Sequence, residues 1–428
     1  MYIKRLYLKN FRGFVEQDFI FHDKLTLVIG KNASGKSSLL EGLCVALGGW
    51  ICGFDGLESS DKRNILKADR RTITSRVNSA LLEQIPVEVE CDASFRNGEN
   101  VIWSRSITSH DGRTTTGGLK QLREITAPMN KKIHSADDEE IVLPIIAYYS
   151  AARLWNEPIH RETRAKRDNN RLDGYKKAVS FSNSIKDAMQ FIDRLAHISN
   201  SKTNSVAAVK LIAILEALKI SLQSVLQDVD IYYDMEIAEL CVVNHRGEYI
   251  PFSLLSDGYR CAASLIIDIC RRIMTLNPHL GGAAIQETNG IVLVDEIDLH
   301  LHPRWQQIVL NDLQRIFPRI QFIVTTHAAS VIQSVRDVTI MLLSNEGVSY
   351  FSHGVYGMDV NTVLRGVQDA IVRPEAIENH FAEIYKHIDE GELTLANQQT
   401  QELEQIIGTN DPEISGIKVS LDIASLED

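Results

Sequence analysis

The sequence predicts an α/β fold that is organised around a phosphate-binding loop. An uninterrupted apolar run, Leu25–Ile29, leads directly into the glycine-rich stretch Gly30–Ser38, and leucines at helical spacing follow it. Short apolar runs of this kind predict buried strands of a parallel sheet. Two more, Gly290–Val294 and Gln321–Thr325, lie far along the chain. We therefore expect an α/β core, with the phosphate-binding loop between a strand and a helix.

Composition and charge restrict the kind of protein this chain can be. It has 428 residues, 44% hydrophobic and 24% charged, which is typical of a globular protein. The net charge of −11 means that any contact with nucleic acid must be local. The six cysteines form no C-x-x-C pair, which argues against a zinc site and favours reduced thiols. The most apolar stretch, Ala262–Cys270, is too short to cross a bilayer and no signal segment precedes it, so we expect a cytoplasmic protein without a membrane partner.

The remaining patterns divide the chain into four regions. Val87–Phe95 and Val101–Ile107 alternate in polarity around a turn, which predicts an antiparallel β subdomain beside the phosphate loop. Two apolar helical stripes after Arg373-Pro374 predict a helical hairpin. The expected regions are a first lobe with the loop and β subdomain (1–150), a basic loop with a short helical insert (151–230), a second lobe (231–352) and a C-terminal helical region for docking or oligomerisation (353–428).

The glycine-rich stretch matches the P-loop pattern G-x-x-x-x-G-K-[ST] completely. The glycines let successive backbone N–H groups face an anion, and the following helix adds partial positive charge. Lys36 can then reach the β- and γ-phosphates, and Ser37 offers a hydroxyl to Mg²⁺. An ordinary Gly/Ser turn is the alternative, but the flanking strand and helix argue against it. The residues expected to contact nucleotide are Gly30, Asn32, Ala33, Ser34, Gly35, Lys36, Ser37 and Ser38.

Two acidic residues follow the predicted strand Gly290–Val294. Asp295 stands where P-loop proteins place the acid that holds Mg²⁺ through water, and Glu296 comes next, placed to polarise an attacking water as a general base. The sequence therefore predicts that Asp295, together with Ser37, serves the metal and that Glu296 is catalytic.

Two histidines in the same stretch, His300 and His302, raise a competing interpretation as metal ligands. A metal site would need two further partners, and the neighbouring sequence offers no obvious ones. The alternative is that they shape a turn that carries Asp298 across a dimer interface, with Pro303 beginning the next helix.

Two further motifs complete the set. Ser256, Asp257 and Gly258 open a predicted helix with small residues and free N–H groups, which suits a γ-phosphate. A plain helix cap is the alternative. His327 follows the predicted strand Gln321–Thr325 after one further residue, Thr326. In this position it can sense the γ-phosphate through a hydrogen bond and act in catalysis. A purely structural histidine is the alternative.

Along the chain, the four motifs are the phosphate loop, the helix start Ser256–Gly258, the acidic pair Asp295-Glu296 and His327. In this order they resemble the motifs of ABC-type ATPases of the SMC/RecF/OLD group. The stretch Phe11–Phe14 (FRGF) resembles the nFRgf opening that these proteins share before the P-loop. The resemblance covers about residues 1–350 and implies an ABC-ATPase head with ATP and Mg²⁺ as cofactors and with Arg12 near the nucleotide. It also implies that two heads enclose ATP, each completing the other's site with Ser256. Asp257 departs from the LSGGQ sequence of transporters, which weakens a transporter interpretation.

Within this group the chain is similar to the ATPase subunits of Septu-type anti-phage systems, the PtuA family, and their retron-associated relatives. The stretches Asp295–Gln306 and Tyr148–Trp155, and YGMDVNTVLR near the C-terminus, carry this likeness. It implies a homo-oligomer built from head-to-head dimers and a separate HNH-type nuclease partner of the PtuB kind, controlled by nucleotide. Only a hairpin and helices are expected after His327, so we predict an ATPase that is not itself a nuclease.

The sequence leaves two alternatives open for the partner of this predicted ATPase. One alternative is a RecF- or SMC-like repair ATPase that acts on DNA directly. The basic stretch 161–177 could then contact DNA or RNA phosphates, or it could be a solvated loop. The C-terminal helices could dock a partner or simply cap the domain.

Overall fold

The computed structural model describes two compact units of the chain, Met1–Asp359 and Val360–Asp428. Each has its own buried core. The residues described are 1–75, 81–95, 98–135, 141–151, 170–180, 185–200, 205–226, 230–243, 246–344, 346–351, 355–366 and 373–427.

The first unit alternates strands and helices along the chain. Its strands are β1 (Tyr2–Phe11), β2 (Phe14–Ile20), β3 (Leu25–Gly30), β4 (Thr72–Thr74), β5 (Leu81–Glu83), β6 (Val87–Ser94), β7 (Asn100–Ile107), β8 (Ile145–Tyr149), β9 (Asp230–Asp234), β10 (Glu239–Val243), β11 (Tyr249–Pro251), β12 (Gly290–Val294), β13 (Ile320–Thr325), β14 (Thr339–Ser344) and β15 (Gly347–Phe351). Its helices are α1 (Lys36–Ile51), α2 (Lys120–Ile133), α3 (Ile185–Asn200), α4 (Ser205–Leu226), α5 (Asp257–Leu276), α6 (Ala284–Glu287), α7 (Pro303–Gln306), α8 (Val309–Ile316) and α9 (Ala329–Ile332).

A six-stranded sheet forms the centre of this unit, in the order β15-β14-β3-β13-β12-β8. All of its strands except β15 run parallel to their neighbours. Every residue of β12 and β13 is buried, and so is β3 up to its last residue. Strands that are covered on both faces are made mostly of apolar residues, which is why their sequences predicted them correctly. The carboxyl ends of β3, β12 and β13 therefore meet at one edge of the sheet.

Helix α1 contacts β3 of the central sheet, and an antiparallel sheet, β2-β1-β6-β7, packs against it as well. Trp103 Nε1 on β7 donates to Ala46 O at 2.9 Å, and Arg105 donates to Val45 O at 2.8 Å, so β7 is bonded to the backbone of α1. Gln321 on β13 exchanges two hydrogen bonds with Ile3 on β1, which ties the two sheets together. The helix that follows the phosphate loop is thus held between layers, and this explains why it is apolar on every face. The expected β subdomain is confirmed.

The insert consists of α3 and α4, which pack against each other and against α5. Both helices were expected from the apolar periodicity. A three-stranded antiparallel sheet, β11-β10-β9, follows them and leads into α5. Strands β9 and β10 form a hairpin, because Asp234–Ala238 turn the chain back on itself.

The C-terminal unit contains helices α10 (Val360–Gly366), α11 (Glu375–Asp389), α12 (Leu393–Ile407) and α13 (Pro412–Glu427). Its core joins Phe381 and Ile384 of α11 to Leu403 of α12 and to Ile414 and Ile417 of α13. The expected hairpin is therefore α11–α12, and a third long helix completes its core. The sequence did not reveal α13 because its apolar residues lie on several faces: Ile417 is buried, but Val419 and Ile423 are exposed.

We predict that Ile384→Ala lowers the stability of the C-terminal unit by about 2–5 kcal/mol, because it opens a cavity in that small core. Ile384 is fully buried, whereas Ile406 is 64% exposed, so Ile406→Ala is a matched control that should change stability by less than about 0.5 kcal/mol. Hydrogen exchange measured by mass spectrometry should show faster exchange over 375–427 and unchanged exchange in β3 and β12. Equal acceleration in both units would contradict the assignment of separate cores.

Candidate nucleotide site

The loop between β3 and α1 has a backbone that only glycine tolerates at two positions. Gly30 has φ +152°, and a Cβ there would lie 2.4 Å from the carbonyl oxygen of Leu343. Gly35 caps α1 at φ +101°, and a Cβ there would meet the ring of Phe14 at 2.7 Å. Any side chain at either glycine would push the loop out of this shape. Phe14 belongs to the FRGF stretch, so that stretch supports the loop directly.

Lys36 lies inside the curl of this loop. Its Nζ donates to the carbonyl oxygens of Gly30 at 2.9 Å and Lys31 at 3.1 Å. Burial lowers the pKa of the amine, and the nearby carboxylates of Asp295, Glu296 and Asp298 act in the opposite direction. The amine is therefore a cation held in a partly desolvated loop, close to the acids that follow β12.

One carboxylate joins three elements at the edge of the sheet. Ser37 Oγ, in the first turn of α1, donates to Asp295 Oδ2 at 2.9 Å. Thr325 Oγ1, at the end of β13, donates to Asp295 Oδ1 at 2.6 Å. The backbone N–H of Glu296 donates to the same threonine oxygen at 2.7 Å. Asp295 is buried, and Glu296 beside it is half-buried. The structure thus brings together Lys36, Ser37, Asp295 and Glu296.

The next acid, Asp298, is bound to the residues that follow β13. Thr326 Oγ1 donates to Asp298 Oδ1 at 2.6 Å, and the backbone N–H of His327 approaches the same oxygen at 3.4 Å. His327 is half-buried beside this acid. The loop after β12 and the histidine expected to sense phosphate are therefore linked within one subunit.

The start of α5 presents its first residues outward. Ser256 is the N-cap and, like Asp257, it is exposed. The side chain of Ser256 makes no capping hydrogen bond at this position, and a contact with phosphate stays a prediction. Gly258 is buried, and a Cβ there would lie 2.4 Å from the carbonyl oxygen of His300. The helix start is therefore packed closely on the loop after β12, with its hydroxyl facing outward.

A buried ionic cluster anchors the middle of α5 beneath this site. Asp268 accepts from Tyr149 Oη of β8 at 2.9 Å and from Arg272 Nε at 2.8 Å. Burial alone would raise the pKa of Asp268, but the charges of Arg271 and Arg272 outweigh it and hold that pKa below its usual range. The charged cluster fixes α5 relative to β8, and β8 pairs with β12.

Arg12, which was expected near the nucleotide, binds two acids beside α1. Its Nε donates to Asp69 Oδ1 at 2.9 Å, and its guanidinium lies 3.8 Å from Glu41 on α1. Arg63 bridges the same two acids, and its positive charge lowers the pKa of Asp69 against the effect of burial. Arg12 thus lies beside α1, held by side chains that the sequence did not single out. Its contact with nucleotide stays a prediction.

The two histidines of the 293–306 stretch shape the turn that leads into α7. His300 adopts a left-handed conformation at φ +62°, and His302 caps α7 by accepting from the N–H of Arg304. Within the described ranges, the one group with ligand-like spacing is His387, Glu390 and Glu392, so neither histidine belongs to such a group there. These contacts favour the turn-shaping interpretation, with α7 beginning at Pro303.

Most of the basic stretch lies outside the described residues, since 152–169 are not among them. Of its cations, Arg171 donates to the carbonyl oxygens of Leu276 and Ile141, and Lys176 pairs with Asp173. Arg171 is buried and stabilises the fold, whereas Lys176 lies at the surface. In the part of the chain that the structure describes, no helix combines the length and apolarity needed to span a membrane.

Comparison with known families decides the assignment. A family model described as AAA domain matches residues 5–230, more than half of the chain. The chain belongs to this AAA-domain family. It is an SMC/RecF-like ATPase related to the PtuA proteins. The probable ATPase of retron Vc95 from Vibrio cholerae serotype O1 biovar El Tor is 25% identical over 404 residues, covering 80% of this chain and 73% of that protein.

Two other relatives extend this picture. The Septu protein PtuA of Bacillus thuringiensis is 28% identical over 162 residues, covering 36% of this chain and 40% of that protein. The crystal structure of an Smc head bound to the C-terminal winged-helix domain of ScpA superposes with a TM-score of 0.50 at 16% identity, covering 83% of this chain and 99% of that one. This likeness supports the fold: a P-loop head of the ABC type.

The residues at the sheet edge fit a nucleotide with a divalent cation. Ser37 and Asp295 offer hard oxygen ligands 2.9 Å apart, which suits Mg²⁺. Ser34 Oγ, inside the loop, is buried without a hydrogen-bond partner among the described residues, as expected for a group that binds an anion. Several residues that build the site were not singled out from the sequence, chiefly Thr325 and Thr326. Their position directly before His327 was the available signal.

We predict that Lys36→Ala weakens ATP binding by roughly 30-fold or more, because a desolvated charge pair with the phosphates is worth about 2–5 kcal/mol. Equilibrium binding of a fluorescent ATP analogue measures this. Lys67→Ala is the matched control, since that side chain is 85% exposed and its substitution should leave binding unchanged. Parental affinity in the Lys36 variant would refute the loop assignment.

Proposed function

We propose that this chain hydrolyses ATP with Mg²⁺ and uses the ATP state to control a separate HNH-type nuclease in an anti-phage defence complex. The observation that carries the hydrolytic part is the carboxylate of Asp295, shared between Ser37 of the phosphate loop and Thr325. The relation to retron ATPases and to Septu PtuA supports the defence part.

The roles of the residues follow from their positions. Backbone N–H groups from Gly30 to Ser38 and the amine of Lys36 bind the phosphates. Ser37 and Asp295 would hold Mg²⁺, which when bound neutralises charge on the phosphate oxygens. Glu296 accepts a proton from a water whose oxygen bonds to the γ-phosphorus, while the bond from that phosphorus to the bridging oxygen breaks. ADP and phosphate are the products.

We further propose that two heads enclose the nucleotide. Ser256, Asp257 and Gly258 would then approach the γ-phosphate bound by a second copy, because Ser256 is exposed and makes no capping bond in its own chain. His327 would sense the γ-phosphate bound by its own subunit. Gly258 packs on His300, and Asp298 in the same loop binds Thr326, the residue before His327. Closing of the dimer would therefore change the position of His327 in the same subunit.

The C-terminal unit is the proposed docking site for the nuclease. Residues 360–428 contain 14 acidic and 4 basic residues, a net charge of −10 out of −11 for the whole chain. Its cations are already bound to its own acids: Arg373 pairs with Asp411, and Lys418 with Glu404. The exposed surplus of acid favours a partner surface rich in lysine and arginine. It disfavours direct binding of DNA by this unit.

We predict that Glu296→Gln retains ATP binding but hydrolyses ATP about 10²–10⁴-fold more slowly, because the amide cannot accept the proton of the attacking water. Steady-state phosphate release and equilibrium binding, measured on the same preparation, separate the two effects. We also expect a longer-lived ATP-bound dimer in size-exclusion chromatography. Turnover at the parental rate would place the base elsewhere.

We predict that the triple substitution Glu375→Gln, Glu383→Gln and Glu402→Gln weakens binding of the HNH-type nuclease about 10-fold at low salt, since each exposed charge contributes up to about 1 kcal/mol. The difference should shrink at 1 M salt, where charges are screened within roughly 3 Å. The control neutralises an equal number of exposed acids in the first unit, Asp111→Asn, Glu124→Gln and Glu346→Gln. Equal affinity of both variants in calorimetry would remove the C-terminal unit as the docking site. Preferential binding of DNA over the nuclease by the parent would favour the repair alternative.

A further inference from the structure

The hydroxyl of Thr325 is bound to two consecutive acidic residues at once. Oγ1 donates to Asp295 Oδ1 at 2.6 Å and accepts from the backbone N–H of Glu296 at 2.7 Å. Thr325 is fully buried at the end of β13. The parallel register of β12 and β13 pairs Val294 with Val324, so the residue after each meets the other at the edge of the sheet. This contact is set by strand pairing and does not depend on the loops.

The first consequence concerns the carboxylate of Asp295. Its Oδ1 is bound by Thr325 and its Oδ2 by Ser37, so its plane is fixed from both sides. The terminal torsion of an aspartate is otherwise broad. Thr325 therefore ensures that one oxygen of Asp295 always faces Ser37, where the metal would be held.

The second consequence concerns the backbone of Glu296. This residue has φ +50°, a left-handed conformation that costs roughly 1–2 kcal/mol for a residue with a Cβ. Its N–H is bound by the Thr325 hydroxyl, and the N–H of Ile297 donates to the Thr325 carbonyl oxygen at 3.0 Å. The hydroxyl oxygen and the carbonyl oxygen of Thr325 thus both stabilise the turn that positions Glu296 beside the phosphate loop.

We propose that Thr325 is a positioning residue for ATP hydrolysis, whose hydroxyl sets the metal-holding carboxylate of Asp295 and the base Glu296 in one fixed relation. This inference rests on the proposed ATPase function. Thr326, the next residue, binds Asp298 instead, so the two threonines divide the acids between them. Loss of the Thr325 hydroxyl would leave the phosphate loop intact and would disturb the acids alone. The effect should therefore fall on kcat and on the Mg²⁺ requirement, and not on the affinity for ATP.

The test compares Thr325→Val with Thr325→Ser, with turnover expressed per bound nucleotide. We expect Thr325→Val to lower kcat roughly 10- to 100-fold, below the loss caused by removing a catalytic hydrogen-bond donor outright. Its KM for ATP should stay within about threefold of the parent, and its half-saturating Mg²⁺ concentration should rise, because a lost orienting contact near a metal typically weakens affinity roughly 10- to 100-fold. Thr325→Ser keeps the hydroxyl and should restore most of kcat. Thr400→Val is the matched control: Thr400 is also fully buried, but its hydroxyl only bonds to Ala396 O within α12.

Thermal melting of each variant checks the fold. If Thr325→Val does not fold, Thr325→Ala and Thr325→Ser replace the pair, since they differ by one oxygen atom. A hydroxyl-free variant with parental kcat per bound nucleotide, alongside an inactive Glu296→Gln, would overturn the positioning role and leave the proposed function standing. Losses of ATP binding and kcat in equal proportion would also overturn it, because they would show a merely structural residue. Parental chain without ATPase activity would instead refute the proposed function itself, whereas an active Glu296→Gln would place the base elsewhere and overturn the positioning role alone.

Discussion

The shared carboxylate of Asp295 is the interaction on which the rest of the site depends. It receives one hydrogen bond from α1, through Ser37, and one from β13, through Thr325, while its own residue follows β12. Three segments that are far apart in the chain thus converge on two oxygen atoms. Removing either donor takes one hydrogen bond from this buried carboxylate, and a lost hydrogen bond to a buried group costs about 1–3 kcal/mol. The same geometry therefore stabilises the sheet edge and fixes the oxygen atoms that we propose hold Mg²⁺.

The parts of the nucleotide site are connected within one subunit through close packing and side-chain hydrogen bonds. Gly258 of α5 packs on the carbonyl group of His300, and Asp298 in the same loop binds Thr326. The cluster around Asp268 fixes α5 to β8. A movement of the exposed start of α5 on binding a second head would therefore be transmitted to the loop after β12. The proposed coupling of dimerisation to hydrolysis depends on this connection.

Charge is distributed very unevenly between the two units. The C-terminal unit carries a net charge of −10, so the ATPase head is close to neutral. The head is nearly neutral and the helical unit is acidic. The proposed roles, nucleotide hydrolysis and recognition of a partner, are thus assigned to units of different charge. The small core of the acidic unit, built around Phe381 and Ile384, allows it to keep a high surface charge because its apolar contacts offset the repulsion.

The sequence by itself determined the phosphate loop, the strands β3, β12 and β13, and the chemical identity of Lys36, Asp295 and Glu296. These features depend on spacing and periodicity over about 10–20 neighbouring residues, which a single chain displays directly. Only the tertiary structure decided that Thr325 binds Asp295, that Arg12 pairs with Asp69, that Gly258 lies against His300, and that α13 completes the C-terminal core. Those contacts depend on strand register and on the packing of segments distant in sequence, and no local pattern encodes either.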